Sequence, residues 1–122
     1  MESAAFRNCY KIKHVIINDN VKTIKRETFW VTGIEQITIG EGVTKIYDNA
    51  FGFCSNLKTI MINSEVIAGG ITAQKSQGNL LQYAQTIYIK EGITPGSYIT
   101  DTTIFKVETS DKEGYVKYVK IS

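Results

Sequence analysis

The chain has 122 residues, 43% of them apolar and 21% charged, and a net charge of +2. That length supports one packed core, and that composition excludes a disordered chain. So small a positive excess does not mark a nucleic-acid binder, and no apolar run approaches the ~20 residues that membrane insertion requires.

Met1-Glu2-Ser3-Ala4-Ala5-Phe6 lacks both the basic start and the apolar stretch of an export signal. Either the protein is cytoplasmic or the chain is a fragment of a longer repeat protein whose signal lies upstream. The internal repeat favours the second reading. Ala5-Phe6-Arg7-Asn8-Cys9 leads to Ile12, Val15 and Ile17, then to Val21 and Ile24. Thr28-Phe29-Trp30-Val31-Thr32 leads likewise to Ile34, Ile37 and Ile39, then Val43 and Ile46. Ala50-Phe51-Gly52-Phe53-Cys54 leads to Leu57, Ile60 and Ile62, then Val66. Phe6, Phe29 and Phe51 stand 23 and 22 residues apart, within the range of stacked repeats.

Each unit reads as one coil. Val15 and Ile17 are two apart and share a side of a strand, while Ile16 points the other way. The Ala-Phe pair marks a turn that folds under the strand, and Val21 and Ile24 return the chain along a second edge. One coil cannot cover its own apolar side, but stacked coils cover one another. The coils run over about 3–25, 26–47, 48–71 and 72–99, with a cap over 100–122. The fourth is weak. Ala84-Gln85-Thr86-Ile87-Tyr88-Ile89 keeps the strand, but the stretch from Gly69 to Tyr83 has lost the Ala-Phe pair. Ile17, Ile39, Ile62 and Ile89 are expected in one shared interior.

Thr103 to Val107 reads as a last strand closing the stack. Beyond it, Ser110 and Glu113 form a capping-box pattern, and Tyr115, Val116 and Val119 fall at helical spacing. A short cap helix over 111–120 is therefore expected, although Gly114 weakens it by roughly 1 kcal/mol. The alternative is a hairpin that pairs Phe105-Lys106-Val107 with Tyr115 to Ile121.

The segment Ala50-Phe51-Gly52-Phe53-Cys54-Ser55-Asn56-Leu57-Lys58-Thr59-Ile60-Met61-Ile62 resembles the BspA-like leucine-rich repeats. Their signature is Ala-Phe-x-x-Cys-x-x-Leu-x-x-Ile-x-Ile-x-x-x-Val-x-x-Ile, whose end Thr44-Lys45-Ile46 also matches. The resemblance covers residues 4–66 well and 84–94 in part. It implies a mainly β leucine-rich-repeat solenoid, a right-handed coil with a parallel sheet, ending in a strand and a short helix. It also implies a surface-exposed, adhesive role, so a cell-surface or secreted location, which the residues themselves do not reveal.

No residue pattern carries catalysis. His14, the one histidine, sits on the outward side of the first strand with no nucleophile in register. Cys9 and Cys54 stand two coils apart, about 10 Å at the ~4.8 Å strand spacing, too far for a disulfide. They read as interior packing. No metal site, phosphate loop or cofactor is expected. Trp30 reads as packing between coils, and Lys22 and Lys45 on the return edge as solubilising charges.

The outward strand face is the candidate binding surface. Its rows are His14, Gln36, Thr59 and Thr86; Ile16, Thr38, Met61 and Tyr88; and Asn18, Gly40, Asn63 and Lys90. Ile16, Met61 and Tyr88 are apolar groups expected at solvent without a core role, which fits an interaction patch. The irregular stretch from Ser64 to Tyr83 is a second candidate. The functional expectation is a non-enzymatic module that binds protein or glycan. The alternative is a structural spacer of a longer surface protein. An exposed sheet edge also allows edge-to-edge self-association.

Overall fold

The computed structural model describes residues 4–121. In chain order the elements are β1 (His14–Ile17), β2 (Thr23–Ile24), β3 (Gln36–Ile39), β4 (Lys45–Ile46), β5 (Thr59–Ile62), α1 (Glu65–Gly69), α2 (Ser76–Asn79), β6 (Thr86–Lys90), α3 (Ser97–Thr100), β7 (Phe105–Glu108) and β8 (Tyr115–Lys120). Six strands form one sheet in the order β1-β3-β5-β6-β8-β7, and β2 pairs with β4 in a small second sheet. The ladder from β1 to β6 is parallel throughout.

The register follows the apolar pattern. Ile17 pairs with Ile39, Ile39 with Ile62, and Ile62 with Ile89. All four are buried in one core with Ile37, Ile60 and Ile87. A slip of one residue would turn these isoleucines out to water, which is why the register is strongly specified. Ile24 and Ile46 of the small sheet close the core from the opposite side.

The Ala-Phe turns build a second ladder. The Phe6 ring stacks on Phe29 at 5.4 Å, and Phe29 on Phe51 at 5.2 Å, with interplanar angles of 6° and 9°. Backbone bonds hold the turns together: Phe6 N–H donates to Thr28 O, Phe29 N–H to Ala50 O, and Phe51 N–H to Gly78 O. Each phenylalanine is flanked two residues on either side by a left-handed residue: Ala4 and Asn8, Glu27 and Val31, Asn49 and Phe53. Val31, at φ 52°, is the costly case, because a β-branched residue rarely adopts that region. The strain recurs because each turn must present its N–H groups to the next.

In the irregular stretch after β5, the Ser64 hydroxyl accepts from Ile67 N–H at 3.1 Å, capping α1, and donates to Val43 O. α2 is a pair of turns more than a helix, since Gln77 and Gly78 are left-handed. Ile67, Ala68, Ile71, Leu80 and Leu81 are all buried, so the stretch is packed into the core.

The expected cap helix over 111–120 does not form. Tyr115–Lys120 is β8, antiparallel to both β6 and β7, which realises the hairpin alternative. Gly114, at φ 83°, makes the preceding turn. The Ser110 hydroxyl accepts from Lys112 N–H at 3.1 Å and donates to Lys112 O, closing that turn instead of starting a helix. What decides is the free edge of β6, whose N–H and C=O groups need partners. A helix laid there would leave them unpaired. β7 does not close the stack directly either. It lies outermost, with β8 between it and β6.

Candidate interaction face

Two of the three expected outward rows line up along the paired strands. His14 stands opposite Gln36, Gln36 opposite Thr59, and Thr59 opposite Thr86; Ile16, Thr38, Met61 and Tyr88 form the second row. β8 and β7 extend both rows. Val119 follows Thr86 and is followed by Lys106; Lys117 follows Tyr88 and is followed by Glu108.

The two ends of this face differ. At the β1 end Ile16 is 80% exposed. Thr38 and Met61 are half-buried, the Thr38 hydroxyl donating to Met61 Sδ at 3.8 Å. At the β6 end Tyr88 is buried, at 4% exposure, contrary to the expectation that it faces solvent. The C-terminal hairpin covers it. The Tyr88 hydroxyl donates to Asp111 Oδ1 at 2.6 Å, and Tyr115 meets its ring edge-on at 6.5 Å. The ammonium groups of Lys112 and Lys117 lie 5.5 and 6.0 Å from its ring centroid. Burial, then the bond to Asp111 and its negative charge, push the Tyr88 phenol up to about 12. The same bond, with help from Lys117 and Lys112, holds the Asp111 carboxyl below its ordinary range. Tyr115 also reaches across to Asn63, donating to its Oδ1 at 2.6 Å.

Two shallow recesses border the open half. One, of about 430 Å³, is lined by His14, Glu35, Gln36, Asn56, Lys58 and Thr59. The other, of about 710 Å³, lies past the strand ends between Asn20, Glu41, Asn63 and Lys90. An ion pair between Lys90 and Glu41 at 3.5 Å crosses it.

The remaining sequence candidates are structural. Cys54 is buried, its thiol donating to Phe29 O at 2.9 Å and lying 3.3 Å from the Thr32 hydroxyl. Burial raises its pKa, and the bond to Thr32 opposes that rise. Cys9 is partly exposed, contrary to the interior packing expected of it, and both cysteines are free thiols. Trp30 packs on the next coil: it meets Phe53 edge-on at 5.0 Å, and a Cβ at Gly52 would lie 2.6 Å from its indole. Among the described residues no group of three or more His, Cys, Asp or Glu could hold a metal. No helix among them is long and apolar enough to cross a membrane.

Asp111, Tyr115 and Lys117 belong to the face and were not read as such. The run Tyr115-Val116-Lys117-Tyr118-Val119-Lys120 repeats every three residues, so it carries no period-two alternation that marks a strand.

A parallel ladder in register, one stacked ring per turn and one isoleucine column define a repeat protein. The family model described as BspA type leucine rich repeat region (6 copies) matches residues 1–94, and the chain belongs to that family. Such leucine-rich repeats are generally non-enzymatic interaction or surface modules. No curated protein and no solved structure matches the chain.

Proposed function

We propose that the chain is a solenoid interaction module that binds a protein partner through the open half of its outer sheet face. The contact residues are His14, Ile16, Gln36, Thr38, Thr59 and Met61. Tyr88 and Thr86 belong to the same rows, but the covered Tyr88 acts by anchoring the hairpin that bounds the site. A surface-displayed, adhesive setting fits the family and is part of this reading. The observation that carries it is Ile16. A large apolar side chain stands 80% exposed at the end of a row whose open part, with Thr38 and Met61, is uncharged. Interfaces place apolar groups and few charges at their centre.

Full burial of an isoleucine contributes about 1.5–3 kcal/mol, so an Ile16 contact is worth about tenfold or more in affinity. The test compares partners crosslinked to the wild type, to Ile16→Lys, to Met61→Lys, and to Val66→Lys, a control on α1 at 57% exposure. Partners kept by the control and lost by both face variants support the reading, provided melting temperatures are unchanged. Partners retained equally by all four chains refute it.

A further inference from the structure

The small sheet on the opposite side carries a feature the net charge hides. Ile24 and Ile46 are buried and paired, which turns Thr23 and Lys45 outward together. Lys22, Lys25, Arg26 and Lys45 are all exposed here. A cleft of about 340 Å³ is lined by Thr23, Lys25, Arg26 and Tyr47. Lys45 stands at its margin, with Nζ 4.5 Å from the Tyr47 ring centroid. Elsewhere Lys13, Lys90, Lys106 and Lys117 each meet a carboxylate within 4.0 Å. Lys22, Lys25 and Lys45 take part in none of the ion pairs among the described residues. Of the acids beside this strip in sequence, Glu27 pairs with Arg7 at 3.5 Å, and Asp48 is exposed.

We propose that this cleft binds the sulfate groups of a sulfated polysaccharide chain. Its lining side chains carry cationic and hydroxyl groups, and it is an open surface cleft without an enclosed pocket to hold a peptide side chain. The one aromatic ring, Tyr47, is occupied by the Lys45 ammonium, so it offers no free platform for a nucleobase to stack on. Lys25 and Lys45 supply point charges for an oxyanion, and Arg26 adds its positive charge to the same strip. The cleft is shallow and lies on the surface, which suits a long chain passing along it, held by several charge contacts at once.

The probe is a heparin-derived hexasaccharide titrated calorimetrically against the full chain. Binding is expected at low salt and should weaken steeply as salt rises, because exposed charge contacts are screened. The double variant Lys25→Gln/Lys45→Gln should lose roughly tenfold in affinity, while Lys106→Gln/Lys112→Gln, on the C-terminal hairpin, should bind as the wild type does. No binding by the wild type overturns the proposal. Equal weakening of both double variants also overturns it, as does equal competition by a polyglutamate peptide of the same charge. Ile16→Lys should leave hexasaccharide binding intact, which separates this proposal from the sheet-face reading.

Discussion

Truncating Phe29 to alanine probes the stack at its middle. Phe29 is 1% exposed and lies between two parallel rings, Phe6 at 5.4 Å and Phe51 at 5.2 Å. Removing a buried phenylalanine side chain costs about 3–5 kcal/mol in lost transfer energy and residual cavity. Each lost ring pair adds about 0.5–1.5 kcal/mol. The neighbouring rings are tied to the backbone ladder and cannot collapse far into the gap, so a loss of about 4–8 kcal/mol is expected. Phe6 is 36% exposed and touches one ring, so Phe6→Ala should cost about 1–2 kcal/mol. Urea unfolding followed by far-UV circular dichroism and by tryptophan fluorescence from Trp30 measures both. Of a total stability of about 5–15 kcal/mol, the Phe29 loss is large enough to unfold much of the population. Equal losses at the two positions would refute the stacked-turn account, since it predicts a gradient set by the number of neighbouring coils.

Two further outcomes follow from the same structure. Ser64→Ala removes a helix cap and leaves Val43 O without its buried donor, so stability should fall by about 1–2 kcal/mol in urea unfolding. Tyr88→Phe removes the donor to Asp111, so the Asp111 carboxyl should titrate closer to its ordinary range by NMR. For the phenol the folded pKa is raised, so its stabilisation is complete below about 10 and lost as pH rises through about 12. For Asp111 the folded pKa is depressed, so its contribution is present above the ordinary carboxylate range and lost as pH falls through the lowered value. Tyr88 should therefore be the tyrosine that ionises latest in an alkaline absorbance titration, and that late step should vanish in Tyr88→Phe.

The sheet from β1 to β6 was readable because its information is periodic and local. Ile17, Ile39, Ile62 and Ile89 must share one side of a strand, and the recurring Phe6, Phe29 and Phe51 fix which coil follows which. The columns of the outer face then follow from counting. The C-terminal segment carried no such redundancy. Tyr115, Val116 and Val119 fall at helical spacing, and no period-two alternation over those six residues argues for a strand, so local pattern alone favours the helix over the hairpin. Only the unpaired edge of β6, a property of the assembled sheet, reverses that preference. The same non-local fact hid the burial of Tyr88. Its register to Met61 was legible, but nothing in that strand says that Asp111, 23 residues later, folds back over its hydroxyl.

That covering shapes what the face can do. Inside the coils every position is constrained by its neighbours, so the interior isoleucines repeat and carry no specificity. Outside, the rows differ at each step: Ile16, Thr38, Met61 and Tyr88 share a row without sharing chemistry. Variation is cheap there, because a strand side chain facing solvent has only its in-row neighbours to satisfy. The hairpin then divides the row, burying Tyr88 and leaving Ile16, Thr38 and Met61 accessible. It also finishes the sheet with an outer strand, β7, whose Lys106 and Glu108 pair at 3.1 Å. Charges on that strand discourage further strand addition. A partner that reads this surface is thereby directed toward the β1 side, where the apolar group is largest and the cover is absent among the described residues.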